Sequence, residues 1–123
     1  MVRAAYALLQ ATQLPWAPWF FLSGAILFEV AGTTCMKLSK GFTELTPSLM
    51  MFLLYGCAFG LNTVATKTIE LSVAYAIWSG VGTALTAAIG ILYFKEPVST
   101  MKMVSVGLIV IGVMGLHSAS LAK

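Results

Sequence analysis

The sequence predicts an all-α membrane protein of four transmembrane helices, and three observations carry that expectation. Hydrophobic residues make up 59% of the chain and charged residues only 9%, too little polar surface to cover a water-soluble globule of 123 residues. The apolar residues gather into four runs of about 20, the length a helix needs to cross a bilayer, separated by short polar breaks. The segments of about 10 residues with alternating polarity that mark a closed β-barrel are absent.

The first span covers about residues 19–38 and, as far as Met36, is interrupted by a single charge, Glu29. The second (about 47–66), third (about 71–94) and fourth (about 103–122) contain no Asp, Glu, Lys or Arg. The breaks between them are too short to house a second domain. Residues 1–18 precede the first span with one charge, Arg3, and a weakly amphipathic stretch, Tyr6-Ala-Leu-Leu-Gln, ahead of Pro15 and Pro18. This segment reads as an interfacial or disordered extension, without the apolar core and cleavage site of a secretory leader.

A net charge of +3 would suggest nucleic acid or an acidic partner in a soluble protein. Here the basic residues sit at span ends, where they anchor to lipid headgroups, so the bilayer is the expected partner and nucleic acid is not. Cys35 and Cys57 fall inside predicted spans and behave as small hydrophobes, with no disulfide inferred. No metal motif and no cofactor are expected. An enzyme is not expected either: His117 stands alone near the chain end, and the other acids, Glu44, Glu70 and Glu96, lie in loops, so no nucleophile and base come within reach.

With four spans, the first and third loops face one side and the second loop and both tails the other. Lys37, Lys40, Lys95 and Lys102 stand against Arg3, Lys67 and Lys123, four against three, a weak bias. Such a chain can insert in both orientations, and two opposed copies would form an antiparallel homodimer with the inverted symmetry used for alternating access. A fixed topology is the alternative.

Glu29 lies near the middle of the first span. A carboxylate at that depth costs several kcal/mol and by default marks an ion or substrate pathway. In an apolar cavity it takes up a proton or attracts a cation, so the two compete for the same oxygens. The other reading is an interhelical hydrogen bond from a permanently protonated acid. Ala25, Gly32, Thr33 and Met36 share the face of Glu29 and are mainly small, which lets a neighbouring helix come close. The second span aligns Tyr55, Phe59, Asn62 and Thr66, and the third aligns Tyr75, Trp78 and Gly82. Aromatic faces attract cations when desolvated, although such stripes also serve plain helix packing. Ser79-Gly80-Val81-Gly82 interrupts the third span, with Gly80 and Gly82 expected to form a kink that is either a packing notch or a hinge. Ser105, Gly112, Gly115 and Ala119 align along the fourth span as a small-residue stripe suited to dimerisation.

Four stretches, Glu29-Val-Ala-Gly-Thr-Thr-Cys-Met-Lys-Leu-Ser, Gly41-Phe-Thr-Glu-Leu-Thr-Pro-Ser, Ala74-Tyr-Ala-Ile-Trp-Ser-Gly-Val-Gly and Lys95-Glu-Pro, resemble the small multidrug resistance family over about residues 19–120. The resemblance implies an antiparallel homodimer in which Glu29 of both copies binds protons or substrate, with Tyr55, Tyr75 and Trp78 lining the site. It also implies a bend at Gly80 and Gly82 and a dimer supported by the fourth helix. Gly32, where the guanidinium exporters have Trp, and Ile77-Trp-Ser resemble the quaternary-ammonium branch. The expected function is therefore proton-coupled export of hydrophobic or quaternary ammonium cations, in the cell (inner or plasma) membrane. Guanidinium export and a non-transporting subunit of a heteromeric complex are the alternatives, and a heterodimer is the alternative to the homodimer. The candidate substrate- and proton-binding residues are Glu29, Thr33, Tyr55, Phe59, Asn62, Tyr75, Trp78 and Ser79. Asn62 stands where this branch is usually apolar and is expected to hydrogen-bond Glu29 or a substrate.

Overall fold

The computed structural model describes residues 1–11 and 15–122, so Lys123, counted above among the charges of one side, lies outside the described residues. Five helices follow one another: α1 (Val2–Ala11), α2 (Ala17–Leu38), α3 (Leu45–Ala65), α4 (Leu71–Leu92) and α5 (Thr100–Leu121). The last four are each long and apolar enough to cross a membrane, at 21 or 22 residues. At 1.5 Å rise per residue each spans roughly 32 Å, which matches the hydrocarbon core.

The helix ends follow local chemistry that a reading by hydropathy alone does not register. Pro18 sits in the first turn of α2, where its missing N–H has no helical partner to lose, so the helix begins at Ala17 rather than Trp19. Pro47 is likewise accepted in the first turn of α3, which starts at Leu45. Ser99 caps α5: its hydroxyl accepts the Lys102 N–H at 3.1 Å, so the helix includes Thr100, Met101 and Lys102 ahead of the apolar run. The extension that precedes the spans contains α1, in which Val2 and Tyr6 are exposed, as is Met1 before it.

Three antiparallel connections link the spans, so α2 and α4 run in the same direction. The core centres on α2, where Leu22, Ile26 and Val30 bury themselves against Ala65 and Ile69 from the α3 end and Val73 and Ala74 of α4. The α2 surface packs most extensively on α3 and also on α4, whereas α5 packs chiefly on α4. An edge-on contact between Trp19 and His117, with ring centroids 5.4 Å apart, adds a tie from α2 to α5. No residue of α5 is buried. In a membrane such an apolar, uncovered helix faces lipid or another chain.

Ser39 organises the α2–α3 loop. Its carbonyl accepts the N–H of Thr43 at 2.9 Å and of Glu44 at 3.0 Å, while its hydroxyl donates to the Met36 carbonyl at 2.7 Å. These bonds hold Lys40, Gly41 and Phe42 in consecutive left-handed conformations, with φ of 50°, 68° and 69°. Only glycine adopts that region freely, so the bonds offset the strain at the other two.

Candidate functional site

Glu29 is half-buried at the thirteenth of 22 positions in α2 and turns toward α3 and α4. Its Oε1 accepts a hydrogen bond from the Thr33 hydroxyl, one turn on, at 3.0 Å. The same Thr33 oxygen lies 2.8 Å from the Tyr55 hydroxyl of α3. Thr33 has one proton to give, so while it donates to Glu29 it accepts from Tyr55. The three groups thus form one relay across two helices. Tyr55 can reach Thr33 because residue 32 lacks a side chain: a Cβ at Gly32 would fall 2.8 Å from two ring carbons of Tyr55.

Gly82 does the corresponding work on α4. A Cβ there would lie 3.1 Å from Glu29 Oε2, so the carboxylate rests close to the α4 backbone. Oε2 accepts no hydrogen bond among the described residues, which leaves one oxygen of Glu29 open to a proton or a ligand.

Glu29 lines a cavity of about 1100 Å³ between α2 and α4. Glu29, Thr33, Tyr75, Trp78, Ser79 and Gly82 line its inner part, and Lys37, Lys40, Phe42, Phe94 and Glu96 its rim. From Glu29 to Lys37, and from Gly82 to Gly90, is eight residues, roughly 12 Å of helix. The hydroxyls on the walls have a common orientation. Ser79 donates to the Tyr75 carbonyl at 2.5 Å, Thr83 to Ser79 at 2.6 Å and Thr34 to Val30 at 2.9 Å. Each has spent its proton on its own helix, so what these side chains can still offer the cavity is oxygen lone pairs. Together with the carboxylate and the π-faces of Tyr75 and Trp78, the walls favour a cation over an anion or a hydrogen-bond acceptor.

Of the residues expected from sequence, Glu29, Thr33, Tyr75, Trp78 and Ser79 line this one cavity. Tyr55 does not line it but acts on Glu29 through Thr33. Phe59 does not line the cavity but meets Trp78 edge-on at 5.7 Å, and Tyr75 meets Trp78 edge-on at 5.6 Å, so the indole is packed against two rings. Asn62 makes no hydrogen bond to Glu29; its Oδ1 is buried without a partner, as is Trp78 Nε1. α4 is helical without interruption from Leu71 to Leu92, and both glycines of its Gly-Val-Gly stretch receive a neighbour: Glu29 at Gly82 and Val113 at Gly80. Ser105, Gly112, Gly115 and Ala119 are exposed on α5, and a Cβ at either glycine would meet nothing within 4 Å.

Sequence reasoning missed Thr83 and Thr86, which line the cavity one and two turns beyond Ser79. Their spacing of i+4 and i+7 from Ser79 carried the signal. It also missed Glu96, which looked like an ordinary loop acid but lines the rim.

The relay makes a direct prediction. Tyr55→Phe should lower stability by about 0.5 to 1.5 kcal/mol, and Thr33→Val, which removes both bonds, by more. Denaturation in detergent micelles checks this, and wild-type stability of Tyr55→Phe would show that Thr33 does not hold the phenol.

Comparison with known proteins comes to bear on this geometry. Residues 17–109 match the family profile described as Small Multidrug Resistance protein. The chain is 54% identical over 99 residues to an uncharacterized membrane protein, YvaE, of Bacillus subtilis (strain 168), covering 80% of this chain and 83% of that one. It is 44% identical over 98 residues to multidrug resistance protein EbrB of Bacillus licheniformis, covering 80% and 82%. With the quaternary ammonium compound-resistance protein QacG of Staphylococcus sp. (strain ST94) the identity is 39% over 99 residues, covering 80% and 92%.

Proposed function

Because the chain belongs to the small multidrug resistance family, multi-pass cell-membrane transporters rather than enzymes, we propose that it exports hydrophobic quaternary ammonium cations in exchange for protons, the two competing for Glu29. One observation carries this reading: Glu29, whose Oε2 accepts no hydrogen bond among the described residues, lines a cavity together with Tyr75, Trp78 and hydroxyls whose protons go to their own helices. A fully substituted ammonium has no N–H to give, so it is held by charge and by ring faces, which these walls supply. When the cation leaves, a proton on Oε2 removes the cost of a bare carboxylate at this depth. Because one oxygen serves both, they exclude each other, and that exclusion is the coupling.

The working unit in this reading is an antiparallel homodimer. The small-residue stripe of α5, which makes no close contact within the chain, and the nearly even charge balance of the loops support it. Residues 1–18 serve as an interfacial extension in this reading, and the exposed Tyr6, Trp16 and, just beyond, Phe20 suit the headgroup region.

Reconstitution tests the reading. Liposomes with an acidic lumen and incorporated protein are expected to accumulate tetrapropylammonium, to release it when a protonophore is added, and to leave guanidinium outside. Preference for guanidinium would favour guanidinium export, and accumulation of neither by correctly incorporated protein would leave a non-transporting role.

A further inference from the structure

The cavity has a second carboxylate, and its setting differs from that of Glu29. We propose that Glu96 is an additional cation-binding site, an access station on the rim, where a hydrophobic ammonium ion displaces Lys102 before it moves inward to Glu29. This rests on the function proposed above.

The rim itself poses the problem. Lys37 and Lys40 line it, and a cation entering toward Glu29 passes both, Lys37 lying roughly 12 Å of helix from Glu29. Glu96 is the acid that faces them: among the described residues lining the cavity, Glu29 and Glu96 are the acids. Without a negative charge at the rim, the entrance would repel the ion that the interior attracts.

Several features place the Glu96 carboxylate there. Lys95 takes a left-handed conformation, φ 60°, which reverses the chain after α4. The Glu96 N–H then donates to the Gly90 carbonyl at 2.9 Å, and Pro97 restricts Glu96 to an extended backbone. The side chain lies back along α4 over Gly90, where a Cβ would sit 2.5 Å from Oε2. The bare Gly90 thus leaves the carboxylate room against this wall; a side chain there would push it aside. Phe94 and Phe42 line the same rim and offer ring faces to an organic cation.

The Lys102 ion pair is built to be exchanged. Lys102 Nζ lies 3.2 Å from Glu96 Oε2, with the two side chains 30% and 42% exposed. A pair that open to water is worth about 0 to 1 kcal/mol, too little to serve as a structural tie. Glu96 Oε1 accepts no hydrogen bond among the described residues, so an arriving cation has an oxygen to approach before Lys102 departs.

Stopped-flow association of tetrapropylammonium with the purified full-length protein, read from tryptophan fluorescence at low salt, tests this. Glu96→Gln is expected to slow association by about 5- to 10-fold, and Lys102→Gln to quicken it by about 3-fold or more. Glu96→Asp, which keeps the charge, should stay near the wild-type rate. The opposite signs decide the matter, because both Gln variants break the same ion pair and a structural pair would move both rates the same way. Changes of equal sign, or no change in either, overturn the access station. Glu29→Gln forms the control arm: if it still binds the cation as wild type does, the proposed function fails instead, whatever the rim variants do.

Discussion

Replacing Glu29 with Gln will remove cation binding and proton-coupled export while leaving the helical bundle intact. Gln keeps an oxygen acceptor for the Thr33 hydroxyl and nearly the same volume, and the buried core of α2 lies at Leu22, Ile26 and Val30 rather than at residue 29. The charge alone is lost. Removing one partner of a desolvated charge pair costs about 2 to 5 kcal/mol, so affinity for tetrapropylammonium should fall at least about thirtyfold. The pH dependence goes with it. In the wild type, proton and cation compete, so cation affinity falls as pH falls; in the variant it should be flat. Equilibrium binding in detergent across a pH series reads both effects, with circular dichroism reporting the fold. A Glu29→Gln protein that still exports against a gradient would remove Glu29 from the coupling and with it the function proposed.

Gly80→Ala should loosen α5 from the rest of the molecule. A Cβ at residue 80 would fall 2.5 Å from Val113 Cγ2, and Val113 is β-branched, with little freedom to rotate away inside a helix. The two helices must separate or shift. Overpacking of this kind costs about 1 to 3 kcal/mol, and it strikes the one extensive contact α5 makes within the chain. Val113→Ala in the Gly80→Ala background clears the methyl from the collision and should recover much of the loss, whereas Val113→Ala alone should be mildly destabilising. Thermal unfolding in micelles and hydrogen exchange along α5 measure the three variants. If Gly80→Ala matches the wild type, α4 and α5 do not approach this closely. The notch reading of Gly80 gains from a strong effect, since a glycine needed only for bending would not be rescued from across the interface.

How far the sequence disclosed the molecule depends on the physical scale of each feature. The four spans were legible because hydropathy over about 20 residues averages away local detail, and Glu29 stood out because the other charges of the spans, Lys37 and Lys102, lie at their ends. Tyr75, Trp78 and Gly82 were found by helical spacing, which fixes a shared face before any neighbour is known. The ends were less legible. Hydropathy could not tell that Pro18 and Pro47 are tolerated in first turns or that Ser99 would draw charged Lys102 into a helix. Tyr55 was selected as a wall residue, yet its hydroxyl turns to Thr33, because the absent side chain at Gly32 lets its ring pass between the helices. Glu96 was invisible for another reason. Its position depends on a left-handed Lys95 and a bare Gly90, a combination of three residues that no periodicity describes.

The hydrogen bonds of Thr33 have a consequence that concerns signalling between helices rather than binding. While Glu29 is charged, Thr33 donates to it and Tyr55 donates to Thr33. Once a proton taken up on Oε2 is brought to Thr33 by a turn of the carboxyl group, both bonds turn around, because a hydroxyl that accepts from the acid has its own proton free for the phenol. The charge of α2 is thereby written into the direction of two O–H vectors, and α3, which carries no Asp, Glu, Lys, Arg or His in its span, receives it at Tyr55 without any helix having moved.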